Sequence, residues 1–262
     1  MRIQDFAKRK RAGVPITMVT CYDAWSATLI AETDIDCVLV GDSVAMVVHG
    51  HDTTIPADLE MMTTHTAAVR RGAPDAFVIG DMPFLSYRRG LAASVDAAGA
   101  LMRSGANAVK LEGAAGNLEL IRHLVESGVP VMGHLGLTPQ SVHQLGGFRV
   151  QAKNGRAAER LIEQAVELEQ AGCFTIVLEA IPAAVAERVT ARMTIPTIGI
   201  GAGRHVDGQV LVLQDLLGVS TSCRPKFVRT WMDGSKMITT ALQSYHRDVT
   251  EGRFPNGGES YE

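Results

Sequence analysis

Five segments of the chain carry a charged or polar side chain directly after a short apolar run. They are VLVGDS at 38–43, VIGDM at 78–82, VKLEG at 109–113, VMGHLG at 131–136 and IVLEA at 176–180. Together they offer Asp42, Asp81, Lys110, Glu112, His134 and Glu179. Carboxylates beside an amine and an imidazole can move protons or hold a cation. At close quarters Asp42, Asp81 and Glu112 would repel one another and raise each other's pKa. A hard divalent cation resolves that repulsion, and oxygen-only ligands favour Mg²⁺ over Zn²⁺. The competing reading has Lys110 alone neutralise three anions. His49 and His51 flank a glycine; without a third partner they read as loop polarity, with substrate contact as the alternative.

Such chemistry needs elements that bring distant segments to one place. Strand-like runs occur at Ile16–Cys21, Cys37–Asp42, Ala76–Asp81, Ala108–Glu112, Pro130–His134, Phe174–Glu179, Thr197–Gly201 and Val210–Gln214. Between them lie helix-like segments at Ala24–Thr33, Asp58–Arg71, Leu91–Ser104, Leu118–Ser127, Arg156–Ala171 and Ala183–Arg192, called by apolar spacing such as Leu161, Ala165, Leu168. Gly105, Gly128 and Gly172 each follow a helix and precede a strand, where a left-handed C-cap is expected.

Repeated strand–helix alternation predicts a parallel sheet. Eight strands in this length favour a closed α/β structure, a single-domain (β/α)₈ TIM barrel, over an open doubly wound sheet. The glycine cluster GIGAG at 199–203 follows a late strand, so the first-strand dinucleotide fingerprint is missing. In a barrel all C-terminal strand ends meet at one face, where active sites are built. Side chains alternate along a strand, so if Val38 and Val40 face inward, Asp42 does too. The same count groups Lys110 with Glu112, and Val177 with Glu179. Two connections on that face are long, Ser43–Ala57 and Leu135–Asn154. Such loops serve as lids or binding loops, and the second serves equally well as a subunit contact. Residues 1–262 read as one catalytic domain, with appended helices in the last 35 or so and a flexible tail from about 252.

Composition narrows the function. Hydrophobic residues make up 46% and charged residues 20%, with net charge −3 and aromatics at 5%. No basic footprint or stacking surface for nucleic acid results. The four cysteines, at 21, 37, 173 and 223, show no C-x-x-C spacing, against a disulfide framework or zinc site. The N-terminal MRIQDFAKRKRAG lacks a signal-peptide core, and no apolar run is long enough to span a bilayer. A cytoplasmic protein without membrane attachment is expected.

A family resemblance rests on TCYDAWSA (20–27), GDSVAMVVHGHDTT (41–54), HTAAVRRGAP (65–74), GDMPF (80–84), AVKLEG (108–113), GHLGLTPQSV (133–142), LEAIP (178–182), IGIGAG (198–203), DGQVLV (207–212) and PKFV (225–228). In order over roughly residues 3–254, these resemble the ketopantoate hydroxymethyltransferase family. The pattern departs at Val44-Ala45, where Leu-Gly is expected, and at Cys223-Arg224, where a Gly-aromatic stretch is commoner.

The resemblance implies a barrel related to the phosphoenolpyruvate/isocitrate-lyase superfamily, a homodecamer, and Mg²⁺ as cofactor. It implies transfer of a hydroxymethyl group from 5,10-methylenetetrahydrofolate, the folate co-substrate, to 3-methyl-2-oxobutanoate. Asp42 and Asp81 would bind the metal, with Glu112 beside it or joined through water. Ser43, Asp81 and Lys110 would contact the oxo acid, Asp42 with them, and His134 would line the pocket. Glu179 would be the base, as a carboxylate apart from the metal. Two other readings are a lyase or mutase of that superfamily and a non-catalytic oxo-acid-binding protein. The lyases carry a cysteine in a lid motif that none of the four cysteines matches, and binding alone needs neither Glu179 nor Lys110.

Overall fold

The computed structural model describes residues 1–220 and 225–261. By internal packing they divide into two compact units, Met1–Val212 and Leu213–Glu262.

The first unit opens with helix α1 (Ile3–Ala12) and then alternates strand and helix: β1 (Ile16–Thr20), α2 (Ala24–Ala31), β2 (Cys37–Val40), the single turn α3 (Val44–Val47), α4 (Leu59–Gly72) and β3 (Phe77–Asp81). It continues through α5 (Leu91–Arg103), β4 (Ala108–Glu112), α6 (Leu118–Glu126), β5 (Val131–Gly136), the short α7 (Val142–Leu145) and α8 (Gly155–Gln170). The last elements are β6 (Thr175–Glu179), α9 (Ala183–Arg192), β7 (Thr197–Ile200) and β8 (Gly208–Leu211). All strands pair in parallel in sequence order, and β8 closes on β1. The fold is the expected (β/α)₈ barrel.

Local chemistry explains the elements. In α8 the buried residues Ala158, Leu161, Ala165 and Leu168 recur at helical spacing, and Asn154 caps the N-terminus by accepting from Ala157 N at 2.9 Å. Gly105, Gly128 and Gly172 stand at φ of 110°, 88° and 103° just past α5, α6 and α8. That conformation is nearly free for glycine only.

The barrel interior is filled by side chains from every strand, among them Met18, Leu39, Ile79, Met132, Ile198 and Val210, with Phe6 of α1 beneath them. This corrects one expectation. Cys37 and Leu39 face the interior, so Val38 and Val40 face the helices. β2 ends at Val40, and Asp42 belongs to the turn after it, in which Val44 N donates to Gly41 O at 3.1 Å. The expectation for β4 and β6 holds, because Ala108 and Val177 face inward, two residues before Lys110 and Glu179.

β8 begins at Gly208 rather than at Val210, since its register is set by closure against Ile16–Val19. β5 runs on to Gly136 because it pairs with β6 up to Glu179. A β-carbon on Gly136, at φ 94°, would run into the Glu179 carbonyl oxygen, so only glycine lets the two strands meet there.

The second unit holds the short α10 (Leu213–Leu216) and the long α11 (Gly234–Thr250). Beyond α11, Phe254 packs its ring against Tyr245, and Asn256 caps a short turn over Gly257–Glu259. The Cys223-Arg224 departure lies outside the described residues.

Candidate active site

Strand register places the chemistry. Asp81 on β3 sits opposite Lys110 on β4, and Glu112 sits opposite His134 on β5. Glu179 ends β6 beside Gly136. Asp42 arrives from the turn after β2, its backbone N–H donating to Asp81 Oδ2 at 3.1 Å. Asp42, Asp81, Lys110, Glu112 and His134 are all buried. Six of the seven residues expected from sequence form a connected group. Ser43 lies at its edge, half-buried, with its hydroxyl 2.8 Å from the Tyr22 hydroxyl.

The group is held by ionic contacts. Lys110 Nζ lies 2.7 Å from Asp81 Oδ1. His134 bridges two carboxylates, with Nδ1 3.4 Å from Glu112 Oε1 and Nε2 3.2 Å from Glu179 Oε2. Nδ1 is also 3.4 Å from Lys110 Nζ. The Lys110–Asp81 contact has the length of a charge-assisted hydrogen bond. The two His134 contacts are looser, and Glu112 Oε1 and His134 Nε2 are buried without a well-directed partner.

Burial, and then the Asp81 and Glu112 charges, push the Asp42 carboxyl well above the usual range, against the pull of Lys110 and a hydrogen bond from Gln140. Burial raises Asp81 as well, despite the adjacent ammonium. For Lys110 burial works toward the neutral form, but Asp81, Glu112 and Asp42 outweigh it and raise its pKa. His134 is likewise opposed by burial and by the Lys110 charge, yet its contacts with Glu112 and Glu179 lift it to about 9. At neutral pH it is therefore an imidazolium. If all four carboxylates were ionised they would outnumber the two cations, and the raised Asp42 and Asp81 register that excess of negative charge.

That crowding of carboxylates and the orphaned Glu112 oxygen fit a divalent cation. Each acidic side chain has one oxygen pinned: Asp42 Oδ2 by Gln140 Nε2 at 2.9 Å, Asp81 Oδ2 by Asp42 N, and Glu112 Oε2 by Gln140 N at 3.1 Å. The second oxygen of Glu112 has no well-directed donor, and that of Asp81 meets the Lys110 ammonium. Among the described residues no three His, Cys, Asp or Glu side chains stand as a ready-made cage. Mg²⁺ asks for less, since it takes one or two carboxylates and completes its shell with water and substrate oxygens.

The two long connections take different parts. His49, in the loop after β2, places Nε2 3.0 Å from Nε2 of His65 on α4. Nδ1 of His65 donates to the Tyr22 carbonyl at 2.5 Å, so its Nε2 is the acceptor and His49 is the donor. The pair pins the loop to the helix. Val44 and Ala45, the departures beside the pocket, are fully buried in that same loop. The loop after β5 reaches the site itself. Gln140 lies in its short Pro139–Ser141 turn, and Gln151 N donates to Ala180 O at 2.8 Å. Ala180, directly after Glu179, is held at φ 46°, a strained setting for a residue with a β-carbon that is found where geometry serves function.

Sequence reasoning missed Gln140, Tyr87 and Tyr22. The signal for Gln140 was the length of its loop; the two tyrosines gave none.

A sequence model of the family described as ketopantoate hydroxymethyltransferase matches residues 1–257. A protein of Bdellovibrio bacteriovorus named 3-methyl-2-oxobutanoate hydroxymethyltransferase is 56% identical over 259 residues, 99% of this chain and 98% of that one. A protein of the same name from Coxiella burnetii is 51% identical over 257 residues, 98% of this chain and 97% of that one. Among solved structures, 2,3-dimethylmalate lyase, a member of the PEP mutase/isocitrate lyase superfamily, superposes with a TM-score of 0.64 at 16% identity, covering 94% of this chain and 88% of that one. Phosphonopyruvate hydrolase in complex with oxalate and Mg²⁺ does so with a TM-score of 0.64 at 10% identity, covering 99% and 93%. At those identities the shared property is the fold.

Proposed function

Because the chain belongs to the ketopantoate hydroxymethyltransferase family, and so to the transferases, we propose that it transfers a hydroxymethyl group from 5,10-methylenetetrahydrofolate to 3-methyl-2-oxobutanoate. The products are 2-dehydropantoate and tetrahydrofolate, at the first committed step of pantothenate synthesis. The observation that carries the reading is the separation of Glu179 from the acidic group. Asp42, Asp81 and Glu112 cluster around Lys110, while Glu179 joins them through His134.

Asp42 and Asp81 would hold Mg²⁺ directly, and Glu112 beside it or through water. When bound, the ion supplies positive charge against the charge that develops on the keto oxygen. Lys110 keeps a second positive charge at the same place, fixed by Asp81. Ser43, oriented by Tyr22, offers a hydroxyl to the oxo acid. His134 engages Glu179 Oε2 and leaves the other oxygen to take the proton from C3, next to the keto carbon. The carbanion bonds to the methylene carbon delivered by the folate as that carbon's bond to one folate nitrogen breaks. Water supplies the hydroxyl as the second carbon–nitrogen bond breaks. The two nitrogens take up the C3 proton and one water proton, and the folate leaves as tetrahydrofolate. A general base contributes roughly 10²–10⁴-fold.

The direct test supplies purified protein with Mg²⁺, 3-methyl-2-oxobutanoate and 5,10-methylenetetrahydrofolate. Stoichiometric 2-dehydropantoate and tetrahydrofolate are expected. Oxo-acid turnover that ignores folate would point instead to lyase or mutase chemistry.

The same proposal takes residues 1–262 as one cytoplasmic catalytic domain that assembles as a homodecamer. Cys21, Cys37 and Cys173 are buried free thiols, and among the described residues no helix is long and apolar enough to cross a membrane. On α11 the exposed residues Ile238, Leu242, Tyr245 and Val249 recur at helical spacing and form an apolar stripe, which supports self-association. Sedimentation at micromolar concentration should give a species many times the 28.0 kDa chain. A 28 kDa species alone would contradict the assembly.

A further inference from the structure

Gln140 is a neutral side chain that touches the carboxylates of the acidic group from a loop. It is buried and makes four polar contacts. Its Nε2 donates to Asp42 Oδ2 at 2.9 Å and to the Met82 carbonyl at 3.0 Å. Its backbone N–H donates to Glu112 Oε2 at 3.1 Å. Its Oε1 accepts from the buried Tyr87 hydroxyl at 2.7 Å. The amide has one chemically sensible orientation, because the reverse would set its oxygen against a carboxylate and a carbonyl oxygen.

A carboxylate presents two oxygens, and a cation site works only if the right one is free. One residue here occupies one oxygen of Asp42 and one of Glu112, whose other oxygen has no well-directed donor. We infer that Gln140, braced by Tyr87, is a positioning residue that sets which oxygens of Asp42 and Glu112 are offered to the divalent cation. The inference rests on the function proposed above. A chain contact that orients a ligand group typically changes metal affinity by 10–100-fold, and the contact here is charge-assisted, the stronger class.

Three features distinguish this role from packing. Tyr87 meets the acidic group at the far side of the amide and at the Glu112 backbone, so its effect on the Asp42 carboxylate travels through Gln140. Apolar packing would be preserved by Met, which has nearly the same length as Gln. An acidic replacement would keep the acceptor for Tyr87 and turn the donor toward Asp42 into a repelling oxygen.

The test is calorimetric titration of the purified full chain with Mg²⁺ alone, alongside thermal melting without metal. The variants are Gln140→Met, Gln140→Glu and Tyr87→Phe. Gln140→Met should bind Mg²⁺ about 10–100-fold more weakly, Gln140→Glu more weakly still, and Tyr87→Phe a few-fold more weakly. A metal-free melting temperature close to wild type is expected for Tyr87→Phe, so its affinity loss cannot be laid to misfolding. Should a Gln140 variant fail to fold, Tyr87→Phe decides. Affinity within twofold of wild type in the folded variants overturns the positioning role alone. A wild-type chain that binds no Mg²⁺ overturns both this role and the metal-assisted reading beneath it.

Discussion

Glu179→Gln should bind Mg²⁺ and 3-methyl-2-oxobutanoate much as wild type does, yet lose exchange of the C3 proton with deuterated water by about 10²-fold or more. The amide keeps the size of the carboxylate and can still meet His134, which lies 3.2 Å from Glu179 Oε2. What it lacks is the basic oxygen. The measurement is the disappearance of the C3 proton signal by NMR, with no folate present. If Glu179 instead orients the folate, exchange would stay at the wild-type rate and only the carbon-transfer step would fail. Wild-type exchange in the variant ends the general-base assignment.

Removing the metal should be at least as severe. Chelator is expected to abolish turnover, and Mg²⁺ to restore it. Asp81→Asn should cut Mg²⁺ affinity while leaving the fold largely intact, with one complication that the geometry exposes. Asp81 also pairs with Lys110 at 2.7 Å, and both side chains are buried. Breaking a buried pair costs about 3–5 kcal/mol when the partner is left uncompensated. Here Asp42 and Glu112 remain to compensate Lys110, so a loss below that range is expected in the melting curve. Full activity in metal-stripped protein would refute the metal's role. Collapse of the fold in Asp81→Asn would recast Asp81 as chiefly structural.

Much of this arrangement was legible in the chain because parallel strands that end on polar residues have one place to converge. β4 was read with its observed bounds, and its inward pair Lys110 and Glu112 followed from alternation. The same counting went wrong on β2. Cys37–Val40 is apolar and buried at every position, as strands covered on both sides are, so the run carries no phase to say which residues face inward. Its polar residue lies past the strand's end, where alternation has stopped. Gln140 was beyond reach for another reason. It is an uncharged residue in a loop, without periodicity, and its partner Asp42 is 98 positions away. Only the fold creates that contact. The His49–His65 pair was obscured likewise: the sequence draws the eye to His51, two residues off, while the true partner sits on α4.

The floor of the barrel bears on how protons travel. Helix α1 sets Phe6, fully buried, among the interior side chains, with its ring 5.2 Å from Phe77 and 4.9 Å from Phe174. That aromatic stopper closes the end opposite the carboxylates. With that end stopped, the door lies at the C-terminal face of the strands, and a proton lifted from a substrate there would leave by that face or be handed back. Isotope washed in from solvent is therefore a clock for how long the door stands open during each visit.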